Sequence, residues 1–156
     1  MLAFCGQDKS SLDKNGRIKF TPRVLSDFSD NGGSEIVMHC LPEGAIAIYP
    51  EEVFVRMRRQ EGNKTDSMGS SVLSRRNLRR FGALSKSEKI SAQGRLTLPV
   101  SYREYASISS DSEIVVVGNE VGVEIWSKAK WEEELQLINE HIKEKSEQEI
   151  ASDLTT

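Results

Sequence analysis

Two short stretches of sequence, Asp13-Lys14-Asn15-Gly16-Arg17 and Ser91-Ala92-Gln93-Gly94-Arg95, lie 78 residues apart in the chain. We call residues 13–17 the first turn and residues 91–95 the second turn. Both end in a glycine followed by an arginine, and Asn-Gly favours a hairpin turn because both residues tolerate positive φ. Each stretch therefore predicts a tight turn with a strand on either side.

The strand that follows the first turn has two different faces. Ile18 and Phe20 point to one side of an extended strand, which makes that side apolar. Arg17 and Lys19 alternate with them and make the other side basic. A helix is predicted next, because Thr21 offers a capping hydroxyl directly before a proline.

The same offset of 78 residues aligns segments far from the turns, without a gap. Residues 34–37 and residues 112–115 both read Ser-Glu-Ile-Val, and Gly44 falls on Gly122. Such matches, at turn glycines and strand hydrophobes, are what a shared backbone would require. The chain is therefore predicted to hold two copies of one unit, each running strand, turn, strand, helix, hairpin and helix.

The repeat also sets the predicted boundaries. The first unit covers residues 1–60 and the second covers residues 82–145. Residues 61–81 are predicted to form a linker that includes a short basic helix. Residues 146–156 lack an apolar stripe, so we expect a frayed tail there.

Composition is that of an ordinary globular protein, with 37% hydrophobic and 29% charged residues. No apolar run approaches the roughly 18 residues of a membrane span, and the first residues lack the features of a secretion signal. We therefore expect a cytoplasmic protein with no membrane partner. Cys5 and Cys40 are too few for a disulfide framework, so they are expected to be reduced and buried.

The sequence offers little support for an enzyme, a cofactor or a metal site. It contains no nucleophile elbow, no phosphate-binding glycine-rich loop and no dinucleotide fingerprint. His39 and Cys40 are adjacent in a predicted strand, so they point to opposite faces and cannot share a metal in the usual way. We expect no catalysis, no cofactor, no metal and no small-molecule substrate.

Charge is distributed unevenly along the chain. Its net charge is −3, which by itself argues against a polyanionic partner. Residues 1–104, however, carry 17 Lys and Arg against 12 Asp and Glu, whereas residues 105–156 carry 4 against 12. Phosphate binding responds to the local patch, so a basic face that binds DNA remains compatible with this sequence.

The first turn has a mechanism for binding DNA. The carboxylate of Asp13 is expected to accept hydrogen bonds from turn amides, so that Arg17 projects from a rigid loop. A guanidinium held in this way suits bidentate contact with guanine or phosphate. The candidate DNA-binding residues are Lys9, Asp13, Lys14, Asn15, Gly16, Arg17, Lys19, Gln93 and Arg95.

A second basic cluster lies in the predicted linker helix, at Arg75, Arg76, Arg79 and Arg80. Its arginines are weaker candidates for DNA contact than the turn residues. Contact with phosphates, pairing with acidic groups of another subunit, and a simply solvated helix face all remain open for it.

The duplicated Asp-x-x-x-Arg turn, with strand, helix, hairpin and helix after each copy, resembles the MraZ family of bacterial transcriptional regulators over about residues 3–145. That family is associated with the division and cell-wall gene cluster, and its halves belong to the AbrB/SpoVT swapped-hairpin superfamily. The resemblance implies an α+β, β-rich fold, in which two tandem AbrB-like swapped-hairpin units form one intramolecular pseudo-dimeric β-barrel with flanking helices.

The resemblance also implies partners. Chains are expected to assemble into a ring-shaped homo-oligomer, similar to an octamer. Such a ring would bind repeated promoter elements upstream of the division and cell-wall genes, including its own gene, and would be associated with the nucleoid.

The second turn departs from the family pattern, because Ser91 stands where the first turn has an aspartate. A serine hydroxyl can cap the turn but has no charge with which to orient Arg95. We therefore predict that Arg17 matters more for DNA binding than Arg95. An antitoxin-like member of the superfamily and an assembly module that has lost DNA contact remain as alternatives.

Overall fold

The computed structural model describes residues 2–62 and 71–154, and its elements follow one order in both halves of the chain. The first half contains β1 (Gln7–Ser11), β2 (Arg17–Lys19), α1 (Pro22–Asp30), β3 (Glu35–Cys40), β4 (Ile46–Pro50) and α2 (Glu51–Gly62). The connecting helix is α3 (Val72–Ala83). The second half contains β5 (Ser85–Lys89), β6 (Arg95–Thr97), α4 (Val100–Tyr105), β7 (Glu113–Gly118), β8 (Val123–Ser127) and α5 (Lys128–Leu154).

The strands of the two halves interleave. A six-stranded antiparallel sheet has the order β1-β7-β8-β4-β3-β5, and β2 pairs with β6 in a separate two-stranded ribbon. The first strand of each half lies at an edge of the sheet, where it pairs with a hairpin strand of the other half. Neither half therefore completes its own sheet.

The two strands on either side of each turn pair with other strands and not with each other. The strand before the first turn, β1, pairs with β7, and the strand after it, β2, pairs with β6. Hydrophobic burial explains why β2 pairs with β6, because Ile18 and Leu96 face each other at the centre of the ribbon and are 0% and 1% exposed. The ribbon is extended by hydrogen bonds from the Phe20 amide to the Gly94 carbonyl and from the Leu98 amide to the Gly16 carbonyl.

The expected closed barrel is not found among the described residues. The six-stranded sheet is open, with β1 and β5 at its edges. What joins sheet and ribbon is a single apolar core, in which Ile18 and Leu96 of the ribbon belong to the same buried cluster as Ile114 and Val116 of β7. The architecture is thus an α+β fold with a β-rich core shared by both halves.

The other face of the sheet carries a smaller apolar cluster. Val115 and Val117 alternate with the core residues of β7 and pack with Trp126 and with Trp131 of α5. The acidic helix α5 therefore lies on the face of the sheet opposite the ribbon.

Helix ends agree with the sequence in one case and differ in another. The predicted cap of α1 is confirmed, since the Thr21 hydroxyl accepts a hydrogen bond from the Val24 amide at 3.4 Å. At the other end of the chain α5 continues to Leu154, although a frayed tail was expected from residue 146. Glu, Lys, Gln, Ala and Leu favour helix even where no apolar stripe is packed, which accounts for the difference.

The connecting segment is partly described. Residues 63–70 of the predicted linker lie outside the described residues. Its predicted basic helix is present as α3, which has no buried residue.

Of the two cysteines, Cys40 is buried as expected, whereas Cys5 is only half-buried. Within the described residues no helix is both long and apolar enough to cross a membrane.

Candidate nucleic-acid interface

The ribbon of β2 and β6 presents a basic outer face. Arg17 pairs with Thr97, and Lys19 pairs with Arg95, in a three-residue register centred on the buried pair of Ile18 and Leu96. Because side chains alternate along a strand, residues on either side of the buried pair point away from the core. Three of the four side chains on this outer face are therefore cationic, and two of them are the predicted arginines.

The first turn is held by the side chain of Asp13. Its Oδ1 accepts hydrogen bonds from the backbone amides of Asn15 at 2.8 Å and Arg17 at 3.0 Å. Its Oδ2 accepts one from Arg17 Nε at 2.8 Å. The hydrogen bond from the Arg17 amide is the main reason why the pKa of Asp13 lies below its ordinary value. The carboxylate stays ionised at neutral pH and holds both the loop and the guanidinium.

Arg17 is oriented without being buried. Its side chain is 37% exposed and that of Asp13 is 39% exposed, so the pair lies at the surface. The interaction uses Nε, and the described residues accept no hydrogen bond from the two terminal nitrogens of Arg17. Those two nitrogens form the outer edge of the guanidinium, which is the edge that would meet a phosphate or a guanine.

The second turn has the backbone of the first, but an uncharged serine takes the place of Asp13. The amides of Ser91 and Gly94 make the same two turn hydrogen bonds as those of Asp13 and Gly16, and both glycines have positive φ, at 73° and 78°. The Ser91 hydroxyl accepts a hydrogen bond from the Arg95 amide at 3.0 Å. No ion pair orients the Arg95 guanidinium among the described residues.

A residue outside the predicted set also contacts the first turn. Arg103 of α4 lies against Gly16, so closely that a Cβ at position 16 would come within 2.6 Å of Arg103 Cζ. The offset of 78 residues makes Leu25 its counterpart, and Leu25 packs against Gly94 in the same manner. The sequence carries no specific signal for Arg103, because other cations of the second copy, such as Lys86 and Lys89, also lack a cationic match in the first.

A surface depression of about 350 Å³ joins the two strands of the ribbon to the second turn and to β5. Its lining consists of Arg17, Glu88, Lys89, Ser91, Gln93, Arg95 and Thr97. The lining is polar throughout, which suits a hydrated polyanion better than an apolar ligand. Both predicted arginines and Gln93 thus share one concave surface.

The remaining predicted residues fall into two groups. Lys14 and Asn15 are exposed at the tip of the first turn. Lys9 lies elsewhere, because its strand pairs with β7 and brings Lys9 opposite Val115, whose side chain belongs to the cluster beneath α5. Lys9 also helps to lower the pKa of Glu113. The sheet therefore separates Lys9 from the ribbon face.

The basic cluster of α3 does not join the ribbon face as a unit. Arg80 is directed into the protein, where it donates a hydrogen bond to the Cys40 carbonyl at 2.6 Å and one to the Tyr105 hydroxyl. Arg75, Arg76 and Arg79 are exposed. Arg80 thus has a structural partner, and the choice between phosphate, protein and solvent remains for Arg76 and Arg79.

Comparison with known proteins identifies the family of this chain. A family model described as "MraZ protein, putative antitoxin-like" matches residues 86–153, which is the second half of the chain. A transcriptional regulator MraZ of Cutibacterium acnes is 36% identical over 131 residues, covering 83% of this chain and 84% of the relative. The chain belongs to the MraZ family.

Other MraZ relatives extend over the same region. The protein of Moorella thermoacetica is 31% identical over 131 residues, covering 83% of this chain and 85% of the relative. That of Finegoldia magna is 30% identical over 127 residues, covering 79% and 80%. All three carry the name transcriptional regulator MraZ. The similarity to MraZ proteins therefore includes both halves and is not confined to the second.

Proposed function

We propose that this MraZ-family protein is a transcriptional regulator that binds duplex DNA through the outer face of the β2–β6 ribbon. The observation that carries the proposal is the placement of Arg17, Lys19 and Arg95 side by side on a short ribbon whose other face is buried. A two-stranded ribbon fits the major groove of B-DNA, which is about 12 Å wide. The ribbon would present its arginines to guanine edges and its turns to the backbone.

The separation of charge within the chain supports this proposal. The acidic helix α5 packs under the sheet with Trp131, whereas the ribbon covers the other side of the sheet. A polyanion approaching the ribbon would therefore meet local cations, although the net charge of the whole chain is −3. The same logic makes binding dependent on salt, because each neutralised phosphate releases counterions.

We further propose that binding is multivalent. A single ribbon contacts only a few base pairs, so one site alone is expected to be weak. A ring of identical chains on regularly repeated promoter elements would raise the overall affinity through effective concentration, without any new contact. The expected targets are repeats upstream of the division and cell-wall genes, including the protein's own gene, which would make the protein nucleoid-associated in the cytoplasm.

A footprint on the DNA upstream of the protein's own gene tests this function. We expect regularly spaced protection of short repeats, with the affinity falling steeply as salt is raised from 50 to 200 mM, roughly 10³-fold or more if several phosphates are contacted. Random-sequence DNA of equal length is the control. Absence of protection at every salt concentration would reject the proposal.

The second turn gives some support to another function, that of an assembly module that binds protein and has lost DNA contact. Ser91 leaves Arg95 without the carboxylate that orients Arg17. A module of this kind would form oligomers while leaving the upstream DNA unprotected. The same footprint, carried out on protein whose oligomeric state has been measured, separates the two functions.

A further inference from the structure

We propose that Arg103 binds the DNA backbone beside the first turn, and that the second turn has no equivalent contact. This inference rests on the proposed function and extends the interface from the ribbon strands to helix α4. The observation behind it is that Arg103 packs on Gly16 of the first turn, whereas its counterpart Leu25 packs on Gly94 of the second.

Arg103 is held in place from two directions. Its Nε donates a hydrogen bond to the Leu98 carbonyl at 2.9 Å, and the Leu98 amide donates in turn to the Gly16 carbonyl at 2.9 Å. Only glycine allows the guanidinium to lie this close to the turn backbone, because a Cβ at position 16 would collide with Arg103 Cζ. The hydrogen bond to Leu98 and the contact with Gly16 therefore place the guanidinium beside the turn before any ligand arrives.

Among the described residues, the charge of Arg103 has no acidic partner. The hydrogen bond from Nε goes to a neutral carbonyl, and no described residue forms a salt bridge with Arg103. The first turn, whose Gly16 it contacts, contains two further cations, Lys14 and Arg17, and the single carboxylate of Asp13. Holding like charges together costs free energy unless an anion binds between them, so the arrangement is suited to a polyanion.

The position of Arg103 favours phosphate over a base edge. The outer face of the ribbon is formed by strand residues, whereas Arg103 reaches the turn at the end of the ribbon from helix α4. When a ribbon enters the groove, its ends lie next to the phosphates that border the groove. Arg103 should therefore add affinity without adding sequence preference.

Arg103→Leu is the natural test, because the fold already has leucine at the matching position 25. We expect this variant to bind the upstream duplex and a random-sequence duplex roughly tenfold more weakly, with the slope of log affinity against log salt reduced by about one. Arg103→Lys, which keeps the charge, should retain the wild-type slope. The melting temperature of each variant shows whether the fold is unchanged.

Wild-type affinity and slope in a folded Arg103→Leu variant would overturn the inference. So would equal losses in the leucine and lysine variants without a change of slope, since that result identifies a structural role. Arg17→Ala, measured in parallel, distinguishes failure of the proposed function from failure of the role of Arg103. If Arg17→Ala loses binding while Arg103→Leu does not, the proposed function stands and only the role of Arg103 fails.

Discussion

The two turns share a backbone and differ in chemistry. Both have the same pair of amide hydrogen bonds and a glycine with positive φ. In the first turn a carboxylate fixes Arg17 and a second guanidinium, from Arg103, lies against the loop. In the second turn a hydroxyl replaces the carboxylate and Leu25 replaces the guanidinium. The two copies thus share a scaffold, and the charged groups are concentrated at one of the two turns.

In the proposed interface, this difference makes binding asymmetric although the fold is pseudo-symmetric. Burial of Ile18 against Leu96 requires both strands of the ribbon, whichever turn contacts a ligand. The fold therefore depends on both copies, whereas the proposed DNA contact can depend mainly on one. Exchanging residues between the copies separates these two requirements.

The largest effect is expected from Arg17→Ala. We predict that it weakens binding to the upstream DNA roughly tenfold or more, because a bidentate arginine contact contributes about 1–3 kcal/mol. Arg95→Ala should cost clearly less, since nothing orients that guanidinium. Arg23→Ala is the control, because Arg23 is an exposed arginine that pairs with Asp8 of β1 and does not belong to the ribbon strands. Equal losses at positions 17 and 95 would remove the asymmetry.

The next largest effect is a gain, expected from Leu25→Arg. This variant gives the second turn the guanidinium that the first turn receives from Arg103. We predict an affinity several-fold above wild type and a salt slope steeper by about one, measured on the upstream duplex. Leu25→Lys at the same site serves as a control for charge alone. An unchanged slope in folded Leu25→Arg would show that this position does not reach the DNA backbone.

For stability we expect the reverse of the order for DNA binding: a glycine substitution should cost more in the second turn than in the first. Alanine at Gly33, where φ is 87° and no atom lies within 4 Å of the added Cβ, is expected to cost about 1 kcal/mol of unfolding free energy from backbone strain alone. Gly16→Ala adds a collision with the end of a flexible arginine. Gly94→Ala adds one with Leu25, which packs against the core, and should cost most, by about 1–2 kcal/mol more than Gly33→Ala. Denaturant titration measures all three, and equal costs would contradict the packing account.

The smallest effect concerns Asp13 and pH. Because the folded pKa of Asp13 lies below its ordinary value of 3.8, the carboxylate stabilises the fold above that pH and loses this contribution as pH falls through the folded pKa. The melting temperature of wild type should therefore exceed that of Asp13→Asn at pH 7, and the difference should shrink in acid. Ser91→Ala, the matching change in the second turn, should give a difference that does not vary with pH. A constant gap for Asp13→Asn would show that its charge is not involved.

Local structure could be predicted from the sequence because local residues determine it. The Thr21 cap, the positive-φ glycines and the alternation around Ile18 each follow from a few neighbouring residues. Strand pairing could not be derived in this way, because β2 presents the same apolar face to any partner. Its partner is β6, chosen by burial of Ile18 against Leu96 across 78 residues of sequence.

At the candidate site too, features set by neighbouring residues were predictable and those set by distant residues were not. The hydrogen bonds from the turn amides to Asp13 were expected from the motif, and the structure has them. Lys9 was grouped with the turn because it is close in sequence, yet the exchange of strands carries it to the other face of the sheet. Arg103 was missed for the converse reason, since it is distant in sequence and reaches Gly16 only through the packing of the two halves.

The most direct test of the ribbon as the DNA-binding surface is the preference of the double variant Arg17→Ala/Arg95→Ala for the upstream duplex over random-sequence DNA. If the ribbon face contacts DNA, this preference should largely disappear and the affinity for the upstream duplex should fall roughly tenfold or more, because each bidentate contact of an arginine with a guanine contributes about 1–3 kcal/mol. A folded double variant that keeps the wild-type affinity and preference would show that DNA binds elsewhere on the molecule.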